Sequence, residues 1–211
     1  RVGIDGLDPD DLQYAKELGY RIKLLASANL SDDVLELSVA PTLVPIGTPV
    51  AEGRDAFQAN RVAGDAVGPV FYHGLGAGQM PTASAVVADL IDTAVGRTRL
   101  TFQTLEYFSI DQPPRALLRE ADSLRCRYYF RLPVANHPGT LASIATVLAK
   151  HNISIASVIQ HDSGPGAPQR DPVPLVIMTH EASEGAASEA TREIEMLDAV
   201  TGPVIRLRVE E

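Results

Sequence analysis

The sequence predicts an α+β protein in which a mixed, largely antiparallel sheet region precedes a ferredoxin-like βαββαβ module. Residues 125–211 follow the order strand, helix, strand, strand, helix, strand. That order is typical of an antiparallel four-stranded sheet with two helices on one face. Residues 1–95 instead contain several strand-like segments before one long amphipathic helix. Residues 96–124, with Pro113 and Pro114 in the middle, are predicted to be a linker.

The first element is a helix over residues 8–18. Asp8 is a suitable N-cap, Pro9 suits the first helical position, and Gly19 follows the predicted end. Leu12, Ala15 and Leu18 recur at helical spacing, so we expect them to form the buried stripe.

Two strands, residues 20–28 and 34–40, are predicted next as an antiparallel hairpin, because residues 29–33 have turn chemistry. Leu35, Leu37 and Val39 alternate and share one face. Prolines 41, 45 and 49 are expected to keep the following stretch out of helix. Residues 57–70 predict two more short strands around Gly64 and Asp65, and residues 83–95 predict a helix.

Residues 115–121 could form a short helix. The last module is then predicted to contain four strands, two helices and one long loop. The strands are residues 128–134, 153–160, 173–179 and 204–209, the helices are residues 138–150 and 183–197, and residues 162–172 form a Gly/Pro-rich loop.

Composition restricts the possible functions. The chain has 211 residues, 45% of them apolar, which is enough for one large or two small domains. A net charge of -9 argues against binding to nucleic acid or to an anionic membrane surface, since both need clustered cations. Cys126 is the single cysteine, so no internal disulfide can form. We therefore expect a cytoplasmic protein with small-molecule or protein partners.

A glycine-rich loop precedes the predicted helix at Ala83. It contains Gly74, Gly76, Ala77 and Gly78, followed by Pro81 and Thr82. A loop that begins a helix presents free amides and a positive dipole end, which suits an anionic or polar ligand. The dinucleotide fingerprint is absent here, because Gln79 stands where its third glycine would be. Two interpretations stay open on the residues alone: a ligand loop, or a tight turn that packs a helix against a strand.

Several blocks closely resemble the end of the catalytic region of homoserine dehydrogenases. They run from Gly74 to Leu90, from Asp10 to Ala26, from Val39 to Pro45 and from Gly64 to Gly68. Together they cover about residues 1–95 in the family's order. Residues 48–51 (Thr-Pro-Val-Ala) and 57–60 (Phe-Gln-Ala-Asn) depart from the family pattern, which usually has His-Pro-Leu-Ala and Phe-Asn-Ala-Val.

The resemblance implies an NAD(P)-dependent oxidoreductase that interconverts L-homoserine and L-aspartate 4-semialdehyde, in threonine, methionine and isoleucine biosynthesis. In that family the nucleotide-binding domain and the catalytic lysine precede the matched segment, and the sequence begins at Arg1 without a methionine. We therefore expect a C-terminal portion that holds no catalytic residue and is inactive alone. The cofactor contacts implied are Gly74, Gly76, Ala77, Gly78, Pro81 and Thr82.

Residues 125–211 resemble an ACT-type regulatory domain, a module that binds amino acids. The resemblance rests on the loop Asn136, His137, Pro138, Gly139, Thr140 and Leu141, followed by residues 152–156 (Asn-Ile-Ser-Ile-Ala). It implies an amino-acid effector, with threonine the leading candidate, and makes Ser154 and Gln160 further candidates that contact the ligand across a subunit interface. The alternative interpretation of the loop, without a ligand, is a capped helix start in a domain that only dimerises.

Other sites and functions are weaker. Five histidines show no metal-binding spacing, so no metal is predicted, and Cys126 has no recognisable histidine partner to make it a nucleophile. Exposed sheet edges predict a homodimer or higher homo-oligomer. The alternative to an enzyme portion is a stand-alone amino-acid sensor whose first sheet only dimerises it.

Overall fold

The structure is a computed structural model that describes residues 4, 6–53, 57–104, 116–161 and 172–210. The described parts of the chain fall into two compact units. One, here called the sheet unit, comprises residues 1–46 and 116–211, and the other, the hairpin unit, comprises residues 47–115. No helix within the described ranges combines the length and the apolar character that a membrane crossing requires.

The elements are numbered in chain order. The helices are α1 (Pro9–Glu17), α2 (Pro49–Glu52), α3 (Gln79–Ala94), α4 (Arg97–Thr104), α5 (Thr140–Lys150) and α6 (Glu184–Glu195). The strands are β1 (Tyr20–Ser31), β2 (Val34–Pro45), β3 (Phe57–Gly64), β4 (Gly68–Leu75), β5 (Leu117–Leu118), β6 (Arg125–Val134), β7 (Ile155–Gln160), β8 (Val173–Thr179), β9 (Ala182–Ser183) and β10 (Ile205–Val209). The predicted α+β class is confirmed.

The ferredoxin-like module forms as the sequence predicts. Its four strands lie in the order β10-β6-β8-β7, with antiparallel pairing throughout. Helices α5 and α6 cover one face, where Phe130, Leu132, Ile144, Ile177 and Ile194 are all buried in one core. Helix α5 begins at Thr140, two residues after its predicted start at residue 138. The reason is that Gly139 has a left-handed φ of 95°, which an α-helix does not allow. The predicted loop 162–172 lies outside the described residues except for its last one.

The opposite face of the module is covered by α1. Tyr14 and Ala15 of α1 pack against Tyr129, Met178 and Leu207 of the sheet. The predicted stripe is wrong at Leu12, which is 57% exposed, whereas Asp11 is fully buried. The reason is electrostatic: the helix lies with its first-turn carboxylate against Arg131, so Leu12 faces the solvent.

The hairpin β1–β2 is a long ribbon that joins the module's sheet. Thr42 and Leu43 of β2 pair in parallel with Arg208 and Val209 of β10, so the described ranges contain one eight-stranded sheet. The compact units therefore divide the chain differently from the predicted segments 1–95, 96–124 and 125–211, since residues 1–46 share a sheet with the last module. Pairing between such distant residues leaves no local signal in the sequence.

One face of this ribbon is apolar and only partly covered. Close to α1, Ile22 and Leu43 pack into the core. Farther along, Leu24, Leu30, Leu37 and Val39 stay at least half exposed. Their partners in the antiparallel register, including Leu35 and Pro41, extend the same apolar face.

The hairpin unit consists of β3 and β4, paired from Phe57 to Leu75, with helices α2, α3 and α4. The expectation that prolines keep the stretch after Pro49 out of helix was wrong. Pro49 begins the short helix α2, because proline suits the first helical turn, where its missing N–H costs nothing. Residues 97–104 form α4 inside the predicted linker. The predicted short helix over 115–121 is replaced by β5 and a turn of 3₁₀ helix at Ala121–Ser123, and residues 105–115 lie outside the described residues.

Candidate functional site

A cavity of about 430 Å³ lies in the ferredoxin-like module, between the end of β6, the start of α5 and the end of β7. Most of the predicted regulatory residues line it. The lining comprises Val134, Ala135, Asn136, His137, Gly139, Thr140, Leu141, Ala142, Ala145, Gln160 and Leu175.

The loop from β6 to α5 is held by the hydroxyl of Thr140. Its Oγ1 donates to the carbonyl of Ala135 at 3.0 Å and lies 3.1 Å from Nδ1 of His137. The positive φ of Gly139 lets the chain turn directly into α5. Amides in the first helical turn have no intrahelical partner and carry partial positive charge, so the cavity lies at an end of α5 that suits a carboxylate.

Polar and apolar groups divide the cavity between them. Gln160 Nε2 donates to Asn136 Oδ1 at 3.5 Å, so two carboxamides meet at one side. The buried side chains of Val134 and Leu175 form the floor of the cavity. Ala142 and Ala145 line it on the α5 side with small methyl groups. This combination of a few polar groups with an apolar floor is typical of a small-molecule site. An α-amino acid with a short side chain matches it in size and charge.

Two predicted regulatory residues do not line the cavity. Pro138 contributes its carbonyl oxygen 3.2 Å from Nδ1 of His137 but lines no wall. Ser154 precedes β7, at the strand end opposite Gln160, and its carbonyl accepts from the amide of His180. Sequence reasoning missed five lining residues: Ala135 and Ala142, which adjoin the predicted loop, Ala145, which helical spacing from Leu141 could have found, and Val134 and Leu175, whose contribution depends on strand pairing.

The glycine-rich loop lies in the hairpin unit, between β4 and α3. The helix α3 begins at Gln79, four residues before the predicted start, so Pro81 and Thr82 lie in its first turn. Gly78 has a φ of 115°, and its carbonyl accepts from the amide of Thr82 at 3.1 Å. Gly74, Gly76, Ala77 and Gly78 are all exposed.

Helix α3 presents an apolar surface that the described chain leaves exposed. None of its residues is buried, although Val86, Val87, Leu90 and Ile91 recur at helical spacing. The loop and the helix are therefore both exposed within the hairpin unit. A β-carbon at Gly76 would require the flexible side chain of Gln58 to move.

A first charged cluster joins α1 to the face of the module's sheet that lies opposite α5 and α6. Arg131 donates from Nε to Asp11 Oδ1 at 2.6 Å and from Nη2 to Asp11 Oδ2 at 2.9 Å. The hydroxyl of Tyr129 donates to the same carboxylate at 3.0 Å. Burial raises the pKa of Tyr129 far above its ordinary value, and Asp11 raises it further. The hydrogen bond to Asp11 also raises the pKa of Arg131.

A second charged cluster lies at the start of α6. Glu184 accepts from Arg206 at 2.6 Å, from Arg208 at 2.7 Å and from the Tyr128 hydroxyl at 3.1 Å. Burial alone would raise the pKa of Glu184, but Arg206 and Arg208, with the hydrogen bond from Tyr128, hold that pKa below its ordinary value. Burial raises the pKa of the nearby Cys126 thiol, which favours its protonated form. This cluster is a structural ion-pair network.

Within the ranges that the structure describes, no three histidine, cysteine or acidic side chains come together as a metal-binding group.

Family models match two parts of the chain. Residues 1–91 match the model described as homoserine dehydrogenase, and residues 129–197 match the model described as ACT domain. The first match contains the glycine-rich loop and most of α3. The second contains the cavity.

Curated and solved relatives match the chain along its whole length. Homoserine dehydrogenase of Pseudomonas aeruginosa is 38% identical over 99% of this chain and 48% of its own length. That of Neisseria gonorrhoeae is 39% identical over 99% of this chain and 47% of its own length. A crystal structure of a homoserine dehydrogenase from Thiobacillus denitrificans superposes with a TM-score of 0.83 at 40% identity, covering 100% of this chain and 48% of that one.

The chain thus spans about half the length of the curated relatives it matches. A more distant structure, Staphylococcus aureus homoserine dehydrogenase at pH 6.0, gives a TM-score of 0.58 at 26% identity over 99% of this chain and 46% of that one. Residues 1–91 therefore belong to the homoserine dehydrogenase family, and residues 129–197 are an ACT domain.

Proposed function

We propose that this chain supplies the C-terminal region of a homoserine dehydrogenase whose ACT domain binds an amino-acid effector, with L-threonine the first candidate. The observation that carries the proposal is the cavity of about 430 Å³ at the start of α5, in a chain 38% identical to a homoserine dehydrogenase over nearly its whole length. The reaction proposed for the whole enzyme is the NAD(P)-dependent interconversion of L-homoserine and L-aspartate 4-semialdehyde. Threonine is an end product of that route and so an economical inhibitor.

In the cavity, the effector's carboxylate is proposed to lie near Gly139 and Thr140, where the first-turn amides of α5 supply donors. Asn136 and Gln160 each offer a carboxamide oxygen to the ammonium group and an N–H to a side-chain hydroxyl. The apolar floor at Leu175 accommodates a methyl group. A residue from the Ser154 segment of a second copy is proposed to complete the site in an oligomer.

The glycine-rich loop is proposed to contact the nicotinamide cofactor in the whole enzyme. Its residues fit that task, since Gly74, Gly76, Ala77 and Gly78 are exposed and have at most one side-chain carbon each. The backbone can therefore approach a ligand closely, and Pro81 and Thr82 lie in the first turn of α3. The cofactor supplies the hydride acceptor, and by family resemblance the proton-transferring lysine lies outside this region.

The test is calorimetric titration of the chain with L-threonine, with isoleucine, methionine and lysine in parallel. We expect saturable binding of threonine and weaker or no binding of lysine, whose long cationic side chain has no carboxylate among the cavity's lining residues. Absence of heat, together with an unchanged melting temperature at millimolar concentrations of all four, would leave the ACT domain as a dimerisation module.

A further inference from the structure

The end of β7 contacts both the cavity and α1. Gln160, its last residue, lines the cavity and donates to Asn136 at 3.5 Å. The next residue, His161, stacks its ring on Tyr14 of α1, with centroids 5.7 Å apart and planes 9° apart. His161 Nε2 also lies 2.9 Å from Glu17 Oε2. Two consecutive residues thus connect the ACT cavity to a helix of the homoserine dehydrogenase region.

The two ends of α1 are held with very different strength. At its start, the fully buried Asp11 is bound by Arg131. At its end, the His161 and Glu17 side chains are 51% and 42% exposed, and ion pairs of this kind contribute little to stability. Of the two contacts that hold α1, the contact with His161 is therefore the one that can form and break more easily. His161 is also the chain neighbour of Gln160, which lines the cavity.

The hydrogen bond between Gln160 and Asn136 is also weak enough for a ligand to replace. At 3.5 Å it is at the upper limit of hydrogen-bond length, so a ligand that offers shorter bonds to either carboxamide can replace it. A ligand bound by Gln160 fixes the last residue of β7. Because the peptide bond joins Gln160 to His161, a restrained Gln160 also restrains the backbone from which the histidine ring projects.

We propose that His161 couples occupancy of the ACT cavity to α1, so that a bound amino acid stabilises the contacts of His161 with Tyr14 and Glu17. The proposal rests on the effector binding proposed above. Coupling is reciprocal: if the ligand strengthens the docking of α1, then loss of that docking weakens ligand binding by the same factor. His161 is a positioning residue, since it lines no part of the cavity.

The experiment is hydrogen exchange of the α1 amides in the full chain, with and without L-threonine, for wild type, His161→Ala and His151→Ala. The control matches well, because His151 Nε2 also lies 2.9 Å from a glutamate, Glu193, but contacts α6 rather than α1. We expect threonine to slow α1 exchange about fivefold in wild type and in His151→Ala, and not in His161→Ala, with fivefold at the low end of coupling between sites. Calorimetry should show threonine affinity about fivefold weaker for His161→Ala.

His161→Phe separates the two contacts, since it keeps the ring that stacks on Tyr14 and removes the bond to Glu17. We expect it to retain part of the threonine effect. If wild type binds threonine while α1 exchange stays unchanged, the coupling is wrong and the effector proposal stands. If wild type does not bind threonine, both proposals fail. If His161→Ala speeds exchange but keeps the ligand-dependent difference, the histidine is merely structural and the coupling is wrong.

Discussion

Asp11 and Arg131 lie 120 residues apart in sequence and form a two-pronged ion pair at 2.6 and 2.9 Å. The pair joins α1 of the homoserine dehydrogenase region to β6 of the ACT domain. Its acid is fully buried, and the same carboxylate caps its own helix by accepting from the amide of Asp8 at 2.9 Å. One side chain therefore fixes both the start of α1 and its position on the sheet.

Asp11→Asn should destabilise the chain strongly, because it removes one partner of a buried ion pair and leaves Arg131 uncompensated. The expected loss in free energy of unfolding is about 3–5 kcal/mol, measured by urea denaturation. Asp10→Asn is the control, since Asp10 is exposed in the same helical turn, and it should cost less than about 1 kcal/mol. Equal losses from the two variants would contradict the role given to Asp11.

Glu184→Gln should flatten the acid dependence of stability. The folded pKa of Glu184 is lowered from an unfolded value of about 4.3, so its contribution is complete above that value and is lost as pH falls through the folded pKa. Melting temperatures of wild type and Glu184→Gln should differ at pH 7 and converge as the pH falls below about 4. Glu189→Gln, an exposed acid on the same helix, should track wild type throughout. A difference that stays constant with pH would refute this.

Asn136→Ala should weaken threonine binding without unfolding the domain. A hydrogen bond to a charged ligand group contributes about 1.5–3 kcal/mol, which corresponds to roughly a ten- to hundredfold loss in affinity. Thr146→Ala is the control, because Thr146 is exposed on α5 and lies outside the cavity lining. Calorimetry measures both variants. Unchanged affinity for Asn136→Ala would remove the residue from the proposed site.

The chain should be at least a dimer in solution, because the apolar face of the β1–β2 ribbon is uncovered within the described residues. Sedimentation should show a species larger than 22.5 kDa at micromolar concentration. Leu37→Glu should shift the population toward monomer, and Asn29→Glu, on the opposite face of the same ribbon, should not. A monomeric wild type would be incompatible with the prediction.

The chain alone should show no dehydrogenase activity, since hydride transfer needs a held cofactor and a proton-transferring group that the family places outside this region. The assay measures the absorbance of reduced nicotinamide after the chain is mixed with homoserine and either oxidised NAD or oxidised NADP. Buffer without protein gives the background. Turnover above that background would show that this region carries the chemistry itself.

Local signals in the sequence predicted most elements of the last module. The strand over residues 173–179 was predicted at its observed bounds, and the loop at Asn136 to Thr140 was placed beside a helix start. Helix starts and strand ends were less accurate, as at Gly139, where a positive φ delays the helix. Ser154, which is expected to contact the ligand across a subunit interface, lies just before β7, at the strand end opposite Gln160, and that contact stays a prediction.

Long-range features could not be predicted from local patterns. An acidic residue in a first helical turn is usually exposed, and Asp11 is buried because Arg131 and Tyr129, far along the sequence, bind its carboxylate. The parallel pairing of β2 with β10 has the same origin, since neither strand's own sequence specifies its partner. Val134 and Leu175 entered the cavity lining through the register of β6 and β8.

The pairing of Thr42 with Arg208 has a consequence for biosynthesis. Strand β2 precedes β10 by about 160 residues, so the edge of β2 that pairs with β10 stays open while those residues emerge from the ribosome. Unpaired edges and apolar faces of this kind favour association with other nascent chains. Closure of the sheet therefore has to wait until β10 has been synthesised.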